Sequence, residues 1–405
     1  MGRRTSQGAA PTEPRPRKKQ RSLLGMTVRF IAWTALVVLI LFLIGGWVFS
    51  NEIRSGALEP PTAGPPDFAW EVVDSGSSLT LEATSDTDQA GEYGLSGIWW
   101  ANGYAQSADL VSSTEDGGGW LDVRSLQPGE TGPSTGTEVK VDMYYWQTDP
   151  LDAHGIEFEE VRYETSVGTL PAWYIEGTSD TWAIVVHGKG GTLQESLRVI
   201  PTLHDLGYPI LVINYRNDVG QPKDSTGYHT YGVNDWKDVA SAVNYANENG
   251  ADEHVLFGYS YGGSLIASYL TQSPLRNFTK AAILDSPVLS LEQTVDFRAS
   301  RTNLPLIPVK VPDLLTSFAK TVASWRFDID WDQTDYITQT NNLHAPMLIF
   351  HGTNDVSVPY SSSAEMASLR PDITTLVTTE AGHTRSWNLD PEAYDTAIKE
   401  FLAEL

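Results

Sequence analysis

The sequence predicts an α/β protein: a mostly parallel central sheet with helices on both faces and a helical cap, preceded by a transmembrane helix and a small β-rich module. Three observations predict it. Beyond about residue 158, compact apolar runs that end in turn residues alternate with helical patterns. Among them stands Gly258-Tyr259-Ser260-Tyr261-Gly262, between a strand-like and a helix-like segment. Near the start, Phe30 to Phe49 carries no charge at all.

The Phe30–Phe49 run, FIAWTALVVLILFLIGGWVF, is long enough as a helix to cross a hydrocarbon core of about 30 Å. Trp33 and Trp47 lie near its ends, where amphipathic rings favour the interface. Residues 1–29 hold eight basic side chains against the single acid Glu13, whereas the whole chain is at −24. By the positive-inside rule the basic tail stays in the cytoplasm and the body is exported, giving a single-pass protein of the cell membrane. A cleaved signal peptide is the competing reading, since Val48 and Ser50 make a small-residue site before Asn51. Residues 1–22 are expected to be disordered.

The chain of 405 residues, 41% hydrophobic, suffices for one large domain and a smaller one. It contains no cysteine, which excludes disulfides and thiolate sites. An acidic body argues against a nucleic-acid partner, because a phosphate backbone needs a cationic face.

The divisions follow from composition. A basic tail covers 1–29, the membrane helix 30–49 and a Pro/Gly-rich linker 50–66. A β-rich accessory module covers 67–157, with strand signals at Ser78–Leu81, Leu95–Trp100 and Val139–Trp146. The main domain covers 158–405. It opens with a hairpin, Phe158–Val167 and Leu170–Gly177. Strands follow at Ala183–Val186, Ile210–Asn214, Val255–Phe257, Ala281–Leu284, Met347–Phe350 and Thr374–Val377. In Val233–Asn249 the apolar residues Trp236, Val239, Ala240, Val243 and Ala246 share one helix face.

The pentapeptide around Ser260 suits a nucleophile. Serine at a sharp strand-to-helix turn needs small neighbours two residues away on each side, and Gly258 and Gly262 supply them. The helix behind it would direct N–H dipoles at developing negative charge. His383, in the loop after the last strand, is placed to act as base. Asp355, in the loop after Met347–Phe350, would orient it, and the order Ser260, Asp355, His383 suits such a fold. Asp285 is the rival acid, or else a hydrogen bonder that fixes its loop. His351 is assigned to pin its own turn. Main-chain N–H groups of Lys189 and Tyr261 are the expected oxyanion donors, with Gly190 a one-residue alternative. The His187–Gly191 stretch also reads as a flexible turn or a phosphate loop, though no G-K-[ST] follows.

Residues 158–405 resemble the α/β-hydrolase superfamily near its prolyl-oligopeptidase-like and serine-aminopeptidase-like branches. The carrying motifs are HGKGG, NYRNDVG, GYSYGG, LDSP, HGTNDVSVP and AGHT, in that order. The resemblance implies the α/β-hydrolase fold, with Ser260 as nucleophile, Asp355 as orienter and His383 as base. With its basic leader, anchor and β-rich preface, the chain is similar to membrane-anchored actinobacterial hydrolases. Tyr261 departs from the Met or Gln of many relatives, and its ring is expected to narrow the acyl pocket. A cap is expected over about 288–342, helical around Leu314–Trp325, with Phe318, Trp325, Phe327 and Trp331 as candidates for an apolar entrance. Asp328, Asp330, Asp332 and Asp335 lack the glycine and terminal Glu of a calcium loop. No metal or cofactor is expected.

The expected activity is hydrolysis of a carboxylic ester or thioester through an acyl-enzyme, on a small-molecule, lipid or peptide substrate. Peptidase or aminopeptidase action and acyl transfer use the same triad. A non-catalytic envelope binding protein on a hydrolase fold is the reading from a different class.

Overall fold

The computed structural model describes residues 23–62, 68–84, 93–116, 119–304 and 308–405. The tail over 1–22, expected to be disordered, lies outside these residues.

Leu23–Ile53 forms one α-helix. It runs beyond Phe49 because neither glycine nor proline lies between Phe49 and Gly56. A π-helical turn, Arg54–Leu58, continues it and Pro60-Pro61 ends it. The part of the expected linker over 50–58 is thus helical, and residues 63–66 lie outside the described residues. Ala57 and Leu58 are buried in the main core, and the Leu58 carbonyl accepts from His229 N at 2.8 Å. The helix is therefore tied to the body by packing. Its middle stays exposed, with Phe30, Trp33 and Leu41 among its bare side chains.

The β-rich module closes into a barrel. Its strands are β1 (Trp70–Ser75), β2 (Ser78–Ala83), β3 (Ser96–Trp100), β4 (Gly103–Asp116), β5 (Gly119–Leu126) and β6 (Glu138–Asp142), in the order β1-β2-β5-β4-β3-β6. Alternation places Val72, Leu79, Leu81, Ile98 and Val139 inside, fully buried. Closure removes exposed strand edges. Asn388 fastens the barrel to the main domain, with Nδ2 donating to the carbonyls of Leu95 and Met143 at 2.9 and 2.8 Å.

The main domain holds β7 (Glu159–Thr165), β8 (Gly168–Ile175), β9 (Thr181–Val186), β10 (Ile210–Ile213), β11 (Glu253–Tyr259), β12 (Thr279–Asp285), β13 (Met347–Gly352) and β14 (Thr374–Thr379). The sheet order is β14-β13-β12-β11-β9-β10-β8-β7, parallel from β14 to β10 and antiparallel through β8 and β7. The middles of the central strands are apolar on both sides because both faces are covered. Ile184 and Val186 pack with Val239 and Val243 on one side. Ala183 and Val185 pack with Tyr394 and Ile398 on the other. Each fully buried Val or Ile contributes roughly 1.5–3 kcal/mol.

The chain leaves β9 toward β10 on one side and leaves β11 toward β12 on the other. The two connections diverge, opening a crevice at the carboxyl ends of β9 and β11, where α/β folds place their ligands. Over it lies a cap with helices Leu291–Arg301 and Asp313–Phe327, clipped together by Lys320 Nζ at 2.7 Å from both Glu292 and Asp296.

The cap aromatics are placed differently from the expectation. Phe318 stacks on Phe42 of the N-terminal helix at 4.9 Å, and a Cβ on Gly46 would overlap its ring. Trp325 is exposed, Phe327 lies beneath the guanidinium of Arg326, and Trp331 Nε1 donates to Ser324 at 2.7 Å. None of the four lines the cavity under the cap. Phe318 buries its ring on the long helix, while Phe327 and Trp331 pack against the buried clusters beside it.

Candidate active site

Ser260 sits at the turn between β11 and the helix Tyr261–Gln272, with φ +48° and ψ −110°. This conformation is costly for a residue with a Cβ and is held only by its surroundings. Ser260 N donates to the Asp285 carbonyl at 2.8 Å, and the Ser260 carbonyl accepts from Val288 N at 3.1 Å. The glycines are sterically required. A Cβ on Gly262 would overlap the Val186 carbonyl, and one on Gly263 would come within 2.6 Å of Pro287 Cβ. A Cβ on Gly258 would lie 2.7 Å from Ile266 Cδ1.

The structure brings Ser260, His383 and Asp355 together. His383 Nε2 is 2.9 Å from Ser260 Oγ and Nδ1 is 2.7 Å from Asp355 Oδ2. With Nδ1–H donating to the carboxylate, Nε2 presents its lone pair to the hydroxyl. The other carboxylate oxygen, Asp355 Oδ1, accepts from Ser357 N and Val358 N at 2.7 and 2.9 Å. Burial alone would raise the Asp355 pKa, but the His383 and His351 imidazoles hold it well below the usual carboxylate range. His351 therefore does more than pin its turn. It contacts Ser363 Oγ at 2.7 Å and also approaches Asp355 Oδ2 at 3.3 Å.

Asp285, the rival acid, faces away from this chain. Its Oδ2 accepts from Tyr394 OH at 3.0 Å, and burial pushes its pKa up to about 6. The adjacent Ser286 donates nothing to His383 but accepts from Thr384 N through Oγ at 3.0 Å, steadying the histidine loop.

The loop after β9 lies against the serine, since a Cβ on Gly188 would be 3.4 Å from Ser260 Cβ. Among the described residues, the main-chain N–H groups of Lys189, Gly190 and Tyr261 make no hydrogen bond. The Lys189 ammonium is turned outward and donates to the Gly56 carbonyl at 2.8 Å. Burial, then the nearby Arg298, lower its pKa to about 8.

Glu195 and Arg198 brace this loop, and the sequence reading missed both. Glu195 Oε2 accepts from Gly188 N at 2.7 Å, while Oε1 pairs with Arg198 Nη2 at 3.1 Å. Arg198 Nη1 donates to the Thr384 carbonyl at 2.5 Å and to Asn388 Oδ1 at 3.0 Å. One buried ion pair thus joins the loop beside Ser260 to the loop that carries His383. Replacing Arg198 with Met leaves the Glu195 charge uncompensated in the interior. It is expected to destabilise the chain by about 3–5 kcal/mol in urea unfolding of the detergent-solubilised protein. A loss within experimental error of zero would count against the brace.

Tyr261 corrects an expectation. Its ring is fully buried among Tyr215, His229 and Tyr231, with its hydroxyl donating to Asp235. It does not line the cavity under the cap, whereas Tyr231 does. Burial pushes the Asp235 carboxyl from 3.8 up to about 6. The folded chain therefore holds this proton more tightly than the unfolded one. The resulting stabilisation is full below pH 3.8 and is lost as pH rises through 6. Asp235→Asn should remove that share of the slope, up to about 1.4 kcal/mol per pH unit, from unfolding free energies measured between about pH 4 and 6. A slope equal to that of the parent would contradict the assignment.

Among the described residues, no three His, Cys, Asp or Glu side chains group to hold a metal. Asp330 and Asp335 instead accept from nearby main-chain N–H groups of their own turns.

Residues 195–386 match the prolyl oligopeptidase family. An uncharacterised protein of Mycobacterium tuberculosis is 24% identical over 254 residues, covering 60% of this chain and 79% of that protein. Acylamino-acid-releasing enzyme 1 of Oryza sativa subsp. japonica is 25% identical over 208 residues, covering 48% of this chain and 26% of the enzyme. The Pyrococcus furiosus esterase Pf2001 superposes with a TM-score of 0.51 at 22% identity, over 64% of this chain and 96% of the esterase. That likeness establishes the fold. The class defined here is a serine hydrolase of the α/β-hydrolase fold, esterase-like or peptidase-like. Within that class, the likeness to the prolyl oligopeptidase family covers residues 195–386.

Proposed function

We propose that the chain is a membrane-anchored serine hydrolase that cleaves a carboxylic ester or thioester through an acyl-enzyme. The observation that carries this reading is the run of contacts from Ser260 Oγ through His383 to Asp355, 2.9 and 2.7 Å long, at the diverging strand ends. Ser260 Oγ attacks the substrate carbonyl and its proton passes to His383 Nε2. The tetrahedral oxyanion is met by the N–H groups of Lys189 and Tyr261. The C–O or C–S bond then breaks, and His383 gives the proton to the departing oxygen or sulfur. Water attacks the acyl-Ser260 ester, its proton goes to His383, and the acid leaves as Ser260 regains a proton.

In this reading residues 30–49 span the bilayer, with the basic tail cytoplasmic and the body outside. Residues 67–157 are an accessory module, and 158–405, with the cap over about 288–342, carry the chemistry. The family match supports a second reading in which the same triad cleaves an amide. The test is fluorophosphonate labelling of the full chain in detergent, with the modified peptide identified by mass spectrometry. Labelling at Ser260 is expected. A folded chain that stays unlabelled, and that hydrolyses neither nitrophenyl esters nor aminoacyl amides, would sink both readings.

A further inference from the structure

An apolar cavity of about 320 Å³ lies between the N-terminal helix and the cap. This is within the size range of small-ligand sites, which are mostly apolar with a few polar groups. The outer wall is the end of the long helix, Val48, Phe49 and Ile53, and the opposite wall is Val295, Ala299 and Ala319 of the cap.

Four of its lining residues each contact, or lie next in the chain to, a segment that carries the site. Gly56 lines the cavity and accepts from Lys189 Nζ, so it rests on the loop proposed to hold the oxyanion. Tyr231 lines it too, with its ring edge-on to Tyr261 at 5.0 Å and its hydroxyl donating to the Ala57 carbonyl at 3.2 Å. Arg298 Nε donates to the Ser357 carbonyl at 2.9 Å, next to the Asp355 loop. Leu291 follows closely on Val288, whose N–H is bonded to the Ser260 carbonyl.

The outer end lies where the apolar run Phe30–Phe49 stops. Trp47 sits there, with the Arg326 guanidinium 3.6 Å over its ring and Arg326 Nη1 donating to Ser50 Oγ at 2.6 Å. A tryptophan and an arginine at this level are what a lipid–water interface selects. A helix that crosses the bilayer would therefore bring the mouth of the cavity to the headgroup level.

We infer that this cavity takes a long fatty-acyl chain of a membrane lipid ester, entering sideways from the bilayer and delivering its carbonyl to Ser260. The inference rests on the reading of the chain as an anchored hydrolase and names its substrate class. It explains why Ala57 and Leu58 are packed into the body. The anchor is itself one wall of the acyl site, so it sets the height of the serine above the membrane.

Two measurements on the full chain in phospholipid nanodiscs test this. First, a diazirine-bearing palmitoyl probe is photo-crosslinked to the Ser260→Ala protein. Adducts on Phe49, Val295 or Ala299 are expected. Adducts confined to outward residues such as Leu39 and Leu41 would overturn the inference. Second, Ala299→Trp, which fills the cavity, is expected to lower the ratio of palmitoyl to acetyl nitrophenyl ester turnover by about tenfold or more. An unchanged ratio in a folded variant would also overturn it. Where Ala299→Trp does not fold, the crosslinking decides. Cavity adducts in Ser260→Ala beside a parent that turns over no ester would leave the lipid site standing and would refute the hydrolase reading instead.

Discussion

Ser260→Ala is expected to lower turnover of a nitrophenyl ester by about a million-fold and to abolish fluorophosphonate labelling. The size follows from what the hydroxyl does in the proposed reaction. Without Oγ there is no covalent intermediate, and His383 has no proton to accept at 2.9 Å. The rate remaining would be hydrolysis by water held near the Lys189 and Tyr261 N–H groups, a residue of activity common when a nucleophile is deleted. The fold should survive. The substitution removes one oxygen, and the main-chain bonds at residue 260, to Asp285, Val288 and Gly263, remain. The backbone at φ +48° is equally strained with Ala or Ser. Circular dichroism and the unfolding midpoint should therefore match those of the parent while labelling disappears. Activity that persists at a tenth or more of the parent would mean another nucleophile, and the assignment of Ser260 would fall.

The parts legible in the sequence were the local ones. Strands β9 to β14 show as short apolar runs because the sheet is covered on both faces. Ser260 shows because a nucleophile turn needs glycines at fixed distances, and the clashes a Cβ would make at Gly258 and Gly262 account for that spacing. Asp355 and His383 show because each follows a recognisable strand. The brace of Glu195 and Arg198 does not show, because its value depends on Thr384, 186 residues away from Arg198. A buried charge pair in a short helical turn looks like surface in one dimension. The same holds for Tyr261, whose direction is set by Asp235. Residues 54–58 read as linker because glycine and prolines surround them. The burial of Ala57 and Leu58 depends on contacts with His229 and Tyr231, which no local pattern reveals. Closure of the barrel is invisible for a related reason: alternation shows strands, and the β1–β6 pairing that seals them joins distant segments.

Asp355→Asn is expected to cost about 10^4-fold in kcat, less than loss of the serine and by a different route. In the parent, Asp355 Oδ2 accepts from His383 Nδ1 at 2.7 Å, which leaves Nε2 as the acceptor for the Ser260 hydroxyl. The Asp355 Oδ1 position already receives Ser357 N and Val358 N, so the oxygen of an asparagine belongs there. Its NH2 must then point at His383. An N–H facing the ring would force Nδ1 to accept, place the proton on Nε2 and leave the serine without a base. Geometry is kept while the tautomer is wrong, so KM for a nitrophenyl ester should change little while kcat falls. Stability moves with pH in a defined sense. The Asp355 pKa is held below its ordinary 3.8, so its ionised form stabilises the fold above that pH, and the contribution fades as pH falls through the lowered value. The variant lacks this contribution near neutrality, and its unfolding free energy should fall less steeply than that of the parent on acidification below about pH 4. A variant that retains near-parental kcat would hand the orienting role to another acid. Asp285 would be the one to replace next, since it lies at the end of the neighbouring strand, where its carboxylate accepts from Tyr394 and Ser286.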